Sequence, residues 1–330
     1  MLPALLFTCN VQSLPVQEEL TVRRKRAQVT TNTAPWGLAR ISQATKLQSI
    51  EKNGFDDDEL PLRGKTHDWT FTYDDTWGYG VSWGVSYRDT YCPGWAGAAT
   101  DDVCNHGTGV ASLIAGATLG IAKQASIVPV RIADANRRVR VDTSSADAAA
   151  GVNWAVSDYK ARNSPTAGII NISWQAIAAG MHVIVAAGNA DQNQCFNGPA
   201  QQADWRVRDV GHIVVGMTDY DDIRAQLSDV PRELGSNFGP CLTLFAPGYS
   251  MTFASGDDDS AMVVQSGTSF AAPLVAGTVA AYVTMHGNQS PVQMKTLLLQ
   301  NAVTGARIRD LDGSPDNLLQ APILAVSEVQ

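Results

Sequence analysis

The sequence predicts an α/β fold, a mostly parallel sheet with helices on both faces. Three observations carry that expectation. Short apolar runs recur at Ala125–Ile132, Gly168–Ser173, His182–Ala187 and His212–Gly216, the pattern of strands buried on both faces. An Ala-rich stretch with helical periodicity, Ser144–Asp158, lies between the first two, and strands alternating with helices build parallel sheets. The 330 residues are 45% hydrophobic and 17% charged, enough apolar side chain to bury a large core.

In chain order, residues 1–33 are largely polar and irregular, with a basic run from Arg23 to Arg26. Such a run is either a solvated segment or a processing site. Met1–Cys9 is apolar but has neither a basic flank nor a small-residue cleavage site. Residues 1–33 are therefore read as the remnant of a signal or pro-region. From Ala34 the patterning is globular to the end, with no repeat or Pro-rich linker, so 34–330 is read as one domain. The Ser144–Asp158 helix has Ser or Asp at its start as caps. Two helices follow late, Ser269–His286 and Pro291–Val303, the second with Ser290 as cap and Pro291 at its first position. One connection is too short. Only Trp174–Met181 joins two of the strands, whereas a crossover between parallel strands needs about 10–12 residues.

Composition narrows the function classes. A net charge of -8 argues against an electrostatic nucleic-acid binder. No run reaches the 18 or more apolar residues of a membrane span. The five cysteines (Cys9, Cys92, Cys104, Cys195 and Cys241) form no C-x-x-C pair and no zinc spacing. The four inside the domain are compatible with two disulfides in an oxidising compartment, or with buried thiols.

Three segments carry chemistry. In Ser266–Pro273 (SGTSFAAP), Gly267 permits a tight backbone, Thr268 can cap, and Ser269 falls at a helix N-terminus. Free N–H groups and the positive dipole end favour a developing anion there. Pro273 cannot donate to the carbonyl of Ser269. In Cys104–Val110 (CNHGTGV), His106 heads a small-residue helix; the other histidines, His67, His182, His212 and His286, have no such flanks and take no role. In Val183–Asn189 (VIVAAGN), a buried strand ends at a Gly and an amide, at the sheet end where ligands of open α/β folds bind. An amide donor there can stabilise an oxyanion.

Together, His106, Asn189 and Ser269 with these flanks resemble the subtilisin-like serine peptidases, especially the fungal proteinase K-like branch. The resemblance runs from about Ala34 to Leu319, through APWGLARIS (34–42), YDDTWGYGV (73–81), GIAKQASIVPVRI (120–132), FGPCLTLFAPG (238–248) and GSPDNLL (313–319). It implies Ser269 as nucleophile, His106 as general base and Asn189 as oxyanion donor, with Ala187 and Gly188 on the substrate side. It also implies a Cys195–Cys241 disulfide, leaving Cys92 and Cys104 open, and a structural calcium at Asp219, with no cofactor for the chemistry. It implies a secreted monomer acting on polypeptides, with no nucleic-acid or membrane partner.

The chain departs from the family pattern in two places. Relatives continue after YDDTWGYGVS with an apolar strand ending in Asp-Thr-Gly, whose Asp orients the His. Here Ser82 passes directly to WGVS (83–86), so the sheet is expected to lack one central strand and its catalytic Asp. Asp89 lacks a preceding strand, and Asp74, Asp75, Asp101 and Asp102 fit no better. Ser173-Trp174-Gln175 replaces Ser-Leu-Gly-Gly, part of the specificity wall. Asn105 and Gly109 stand where Gly and often His are usual. Two functions follow: a serine endopeptidase working through an acyl-enzyme on Ser269, or a catalytically impaired or inactive protein of the same fold, whether a truncated isoform, a pseudo-enzyme with a binding role or the product of an incomplete gene model. An α/β-hydrolase esterase is disfavoured, because no G-x-S-x-G surrounds Ser269.

Overall fold

A computed structural model of the chain describes residues 33–42, 50–51, 63–65, 77–82, 106–116, 119–122, 125–131, 134–135, 141–142, 145–162, 167–172, 181–193, 195, 211–227, 234–254, 262–305 and 308–322. Residues 1–32 with their basic run, Cys9, Cys92, Cys104, Asn105, the acidic residues between 74 and 102, and the 173–175 segment lie outside the described residues.

The strands of the main sheet and of the hairpin that leads to the site are β1 (Trp77–Ser82), β2 (Ser126–Arg131), β3 (Gly168–Ile172), β4 (His182–Ala186), β5 (Ile213–Thr218), β6 (Leu244–Pro247), β7 (Met251–Ala254), β8 (Met262–Gln265), β9 (Val303–Thr304) and β10 (Asn317–Leu318); shorter strands lie outside them. The helices are α1 (Trp36–Ile41), α2 (His106–Ala115), α3 (Ser145–Arg162), α4 (Thr268–His286) and α5 (Pro291–Asn301). The main sheet is eight-stranded in the order β9-β10-β6-β5-β4-β3-β1-β2. All its pairings are parallel except the β9–β10 edge.

The four apolar runs become β2 to β5, within one to two residues of the expected ends. Their near-continuous hydrophobicity follows from burial on both faces. Ile169, Ile184 and Ala186 join a core with Val110 and Leu113 of α2 and Leu274 and Val275 of α4. Their neighbours Ile170, Ile172, Val183 and Val185 pack against Val152 and Ala155 of α3. Each Val, Leu or Ile side chain among them contributes roughly 1.5–3 kcal/mol on burial. The Ala-rich helix runs four residues beyond its expected end, to Arg162. Helix α5 starts as its signals predict. Ser290 Oγ accepts from Gln293 N–H, and Gln293 Oε1 accepts from Ser290 N–H, a reciprocal capping box. Helix α4 is long and apolar enough by composition to cross a bilayer, but it is a core helix buried for most of its length.

The main sheet is continuous through this region. Strand β1 pairs in parallel with β2 over Trp77–Ser82 and with β3 over Trp77–Val81. The segment just before the short junction thus fills the place between β2 and β3. Buried ladder groups on both neighbours demand a partner, and this segment supplies it. The residues of the short β3–β4 connection, 173–180, lie outside the described residues. The two strands are adjacent and parallel; of the residues between them only Met181 is described, and it is buried against Ile170 and α3.

Candidate active site

The site forms where helices α2 and α4 begin, at the carboxyl end of the sheet. Hairpin β7–β8 delivers the chain to α4. Two contacts fix the approach: Ser250 N–H donates to Ser266 Oγ at 2.8 Å, and Gly267 N–H donates to Gly248 O at 2.8 Å. Gly267 is the N-cap, Thr268 the first helical residue and half-buried Ser269 the second. In this first turn Phe270 N–H donates back to Gly267 O at 3.0 Å, and the helix N-terminus as a whole presents N–H groups that lack the carbonyl of a preceding turn. Pro273 lies inside the helix and offers no N–H to Ser269 O.

Thr268 does not cap the helix, as the sequence had suggested. It bridges to the β4 loop instead. Its N–H and Oγ1–H both donate to Asn189 Oδ1, at 2.8 and 2.9 Å, while its Oγ1 accepts from Gly188 N–H at 3.0 Å. With Oδ1 committed on the Thr268 side, Asn189 Nδ2 lies beside Gly267; a Cβ there would sit 3.4 Å from it. No acceptor among the described residues takes the Nδ2 protons. The structure therefore brings Asn189 to the head of the helix that bears Ser269.

His106 is the first residue of α2 and is buried. Its ring lies 5.5 Å from that of Phe270, the residue after Ser269. Phe270 in turn stacks on Phe253 at 4.3 Å. This packing explains Gly109: a Cβ there would meet the Phe253 ring at 2.4 Å. A larger residue one turn along α2 would push the aromatic pair away from His106.

Ala187 and Gly188 use their backbone groups on the framework. Ala187 N–H donates to Val215 O and its carbonyl accepts from Asn237 Nδ2, while Gly188 O accepts from Asn237 N–H. The Cys195–Cys241 disulfide implied by the resemblance is present. Asp219, where the resemblance implies a calcium ion, braces its own turn through one carboxylate oxygen. Its Oδ1 accepts from Asp221 and Ile223 N–H, and neighbouring Asp222 is paired with Arg40. Among the described residues no cluster of three His, Cys, Asp or Glu can hold a metal. His182, given no role from sequence, contacts Asn288 Oδ1 through Nε2 at 3.3 Å. Burial lowers its pKa below the ordinary 6.5, and the Asn288 contact partly opposes that. Sequence reasoning missed Asn237 altogether, because an Asn in a polar loop carries no local signal of what it will touch.

Comparison with known proteins agrees with this fold. The Subtilase family profile matches residues 78–320. The chain is similar to the extracellular serine proteinase of Thermus sp. (strain Rt41A), 33% identical over 90% of this chain and 68% of that protein. It is also similar to subtilisin-like protease 3 of the fungus Pseudogymnoascus destructans, 31% identical over 86% of this chain and 68% of that protein. Among solved structures, it matches the crystal structure of a cold adapted subtilisin-like serine proteinase. That match has a TM-score of 0.63 at 27% identity, covering 89% of this chain and 100% of the other.

Proposed function

The chain belongs to the subtilase family, and on that premise we propose that it is a serine endopeptidase cleaving polypeptides through an acyl-enzyme on Ser269. The observation that supports this most is the Thr268–Asn189 junction, which holds an amide donor at the N-terminus of the nucleophile's helix. In the proposed mechanism His106 takes the proton of Ser269 Oγ as that oxygen attacks the scissile carbonyl. The oxyanion accepts from Asn189 Nδ2 and from the N–H of Ser269, donors already fixed before charge develops. His106 then gives its proton to the leaving amine. Water, deprotonated by the same imidazole, releases the acyl group.

A second reading, an impaired enzyme of this fold, rests on the strand at the sheet centre. β1 lies between β2 and β3 and ends at Ser82, whereas the resemblance calls for a further strand after that residue, ending in the carboxylate that orients His106. Loss of that carboxylate from a Ser–His–Asp triad lowers kcat on the order of 10⁴-fold, with residual catalysis from the oxyanion site. Relatives named extracellular and the Cys195–Cys241 bond support action outside the cell. Labelling with a fluorophosphonate tests the function. We expect the wild-type chain to be labelled and Ser269→Ala not to be; a folded wild type that resists the probe overturns the proposal.

A further inference from the structure

We infer that Asn237 is the positioning residue of the candidate oxyanion site, holding the 187–192 loop in the shape that presents Asn189 Nδ2 to the head of α4. The inference rests on the serine-hydrolase reading above and adds to it a second amide that acts from behind the loop.

Asn237 is 2% exposed, and both ends of its side chain are engaged on one loop. Nδ2 donates to Ala187 O at 2.8 Å. Oδ1 accepts from Ala190 N–H at 3.0 Å and from Gln192 N–H at 3.1 Å. Its own N–H donates to Gly188 O at 2.9 Å. The groups it holds flank Asn189 on both sides. The neighbouring chain extends the grip, since Gly235 N–H donates to Asn189 O and Asp191 N–H to Gly235 O. Asn189 is thus fixed in front by Thr268 and behind by Asn237.

Only an amide of this length meets the demand. The loop offers one carbonyl and two N–H groups, so the side chain must donate at one end and accept at the other. Asp keeps the acceptor contacts but sets an oxygen against Ala187 O. Gly188 is shaped to the same side chain. Its φ of +97° favours glycine, and a Cβ there would fall 2.4 Å from Asn237 Nδ2. Such order matters because a donor displaced by about 1 Å from a developing oxyanion loses on the order of 10²-fold in rate.

The test uses the full chain with Asn237→Ala, Asn237→Asp, Asn189→Ala and the Asn189→Ala/Asn237→Asp double variant. Thr243→Val serves as control, since it removes a buried hydroxyl that accepts from Val214 N–H away from the loop. The readouts are kcat and KM on a chromogenic peptide amide, the rate of fluorophosphonate labelling, and melting temperature. If Asn237→Ala does not fold, Asn237→Asp carries the test. We expect Asn237→Asp to lower kcat and labelling roughly 10- to 100-fold with KM little changed. It should have no further effect once Asn189 is Ala, because coupled residues are non-additive. Thr243→Val should move the melting temperature but not kcat. Undiminished kcat in Asn237→Asp, or losses that multiply in the double variant, overturns the inference. If wild type shows neither turnover nor labelling, the hydrolase reading fails. The Asn189 side-chain NH₂ resonances then decide the positioning claim: a shift in Asn237→Asp upholds it, and no shift overturns it.

Discussion

Asn189 turns its amide oxygen inward to Thr268, and that orientation makes its nitrogen available. Asn189→Ala is expected to lower kcat about 10²–10³-fold with KM nearly unchanged; steady-state kinetics on a peptide amide checks it. Elsewhere single buried polar residues carry stability. Arg40 is fully buried and bonds Asp222 through Nε at 2.7 Å and Nη2 at 2.9 Å. Asp222 sits at φ 57°, a conformation Asn tolerates equally. Asp222→Asn therefore removes the charge without straining the turn, and losing the charge-assisted bonds to Arg40 costs about 1.5–3 kcal/mol, readable by urea unfolding. His182 adds a pH dependence. Because its folded pKa is lowered below 6.5, the unfolded chain binds a proton there that the folded chain refuses. Its contribution is full above pH 6.5 and is lost as pH falls from 6.5 through the folded value. His182→Gln should flatten that part of a stability–pH profile between pH 8 and 5.

At the scale of elements, much was legible because the physics is local. Strands β2 to β5 announced themselves by unbroken apolar runs, and α5 by Ser290 and Pro291. His106, Asn189 and Ser269 were legible as short motifs at element ends. What stayed hidden was set by distant partners: Asn237, the Phe253–Phe270 stack behind Gly109, and the pairing of β1 with both β2 and β3. A glycine-rich segment such as Trp77–Ser82 gives weak strand signals, and its place is decided by the edges it covers. That place yields a test. Helix α2 packs on β1, and β1 ends at Ser82 beside β2 and β3. Ser82→Asp adds a carboxylic acid at the last residue of the central strand, the strand on which the helix headed by His106 packs. It should raise the fluorophosphonate labelling rate roughly tenfold or more, a fraction of what a triad carboxylate supplies. An unchanged rate would mean that His106 takes its orientation from another segment.

Across the whole molecule, the C-terminal segment and the loop carrying Asn189 are bound to one another. Arg224 donates through Nε to Asp310 O at 2.7 Å and through Nη1 to Ser236 O at 2.9 Å, pairs with Asp191 and Asp312, and lies 4.7 Å over the Phe238 ring. Ala321 N–H donates to Ile41 O, so the segment after β10 also closes on α1. The Cys195–Cys241 bond, spanning 46 residues, is the covalent member of this framework. It constrains the unfolded chain, and its removal costs about 2–4 kcal/mol. Yet the residues nearest Asn189 are held by hydrogen bonds from Asn237, Thr268 and Gly235, which do not pass through the disulfide. Stability and site geometry should therefore separate. In the Cys195→Ser/Cys241→Ser variant, thermal inactivation should come several degrees lower, while the Ser269 labelling rate at 20 °C stays within about twofold of wild type, the size of a small geometric effect. A labelling rate that falls with the melting temperature would show that the bond itself, and not the amide clamp, sets the aim of Asn189.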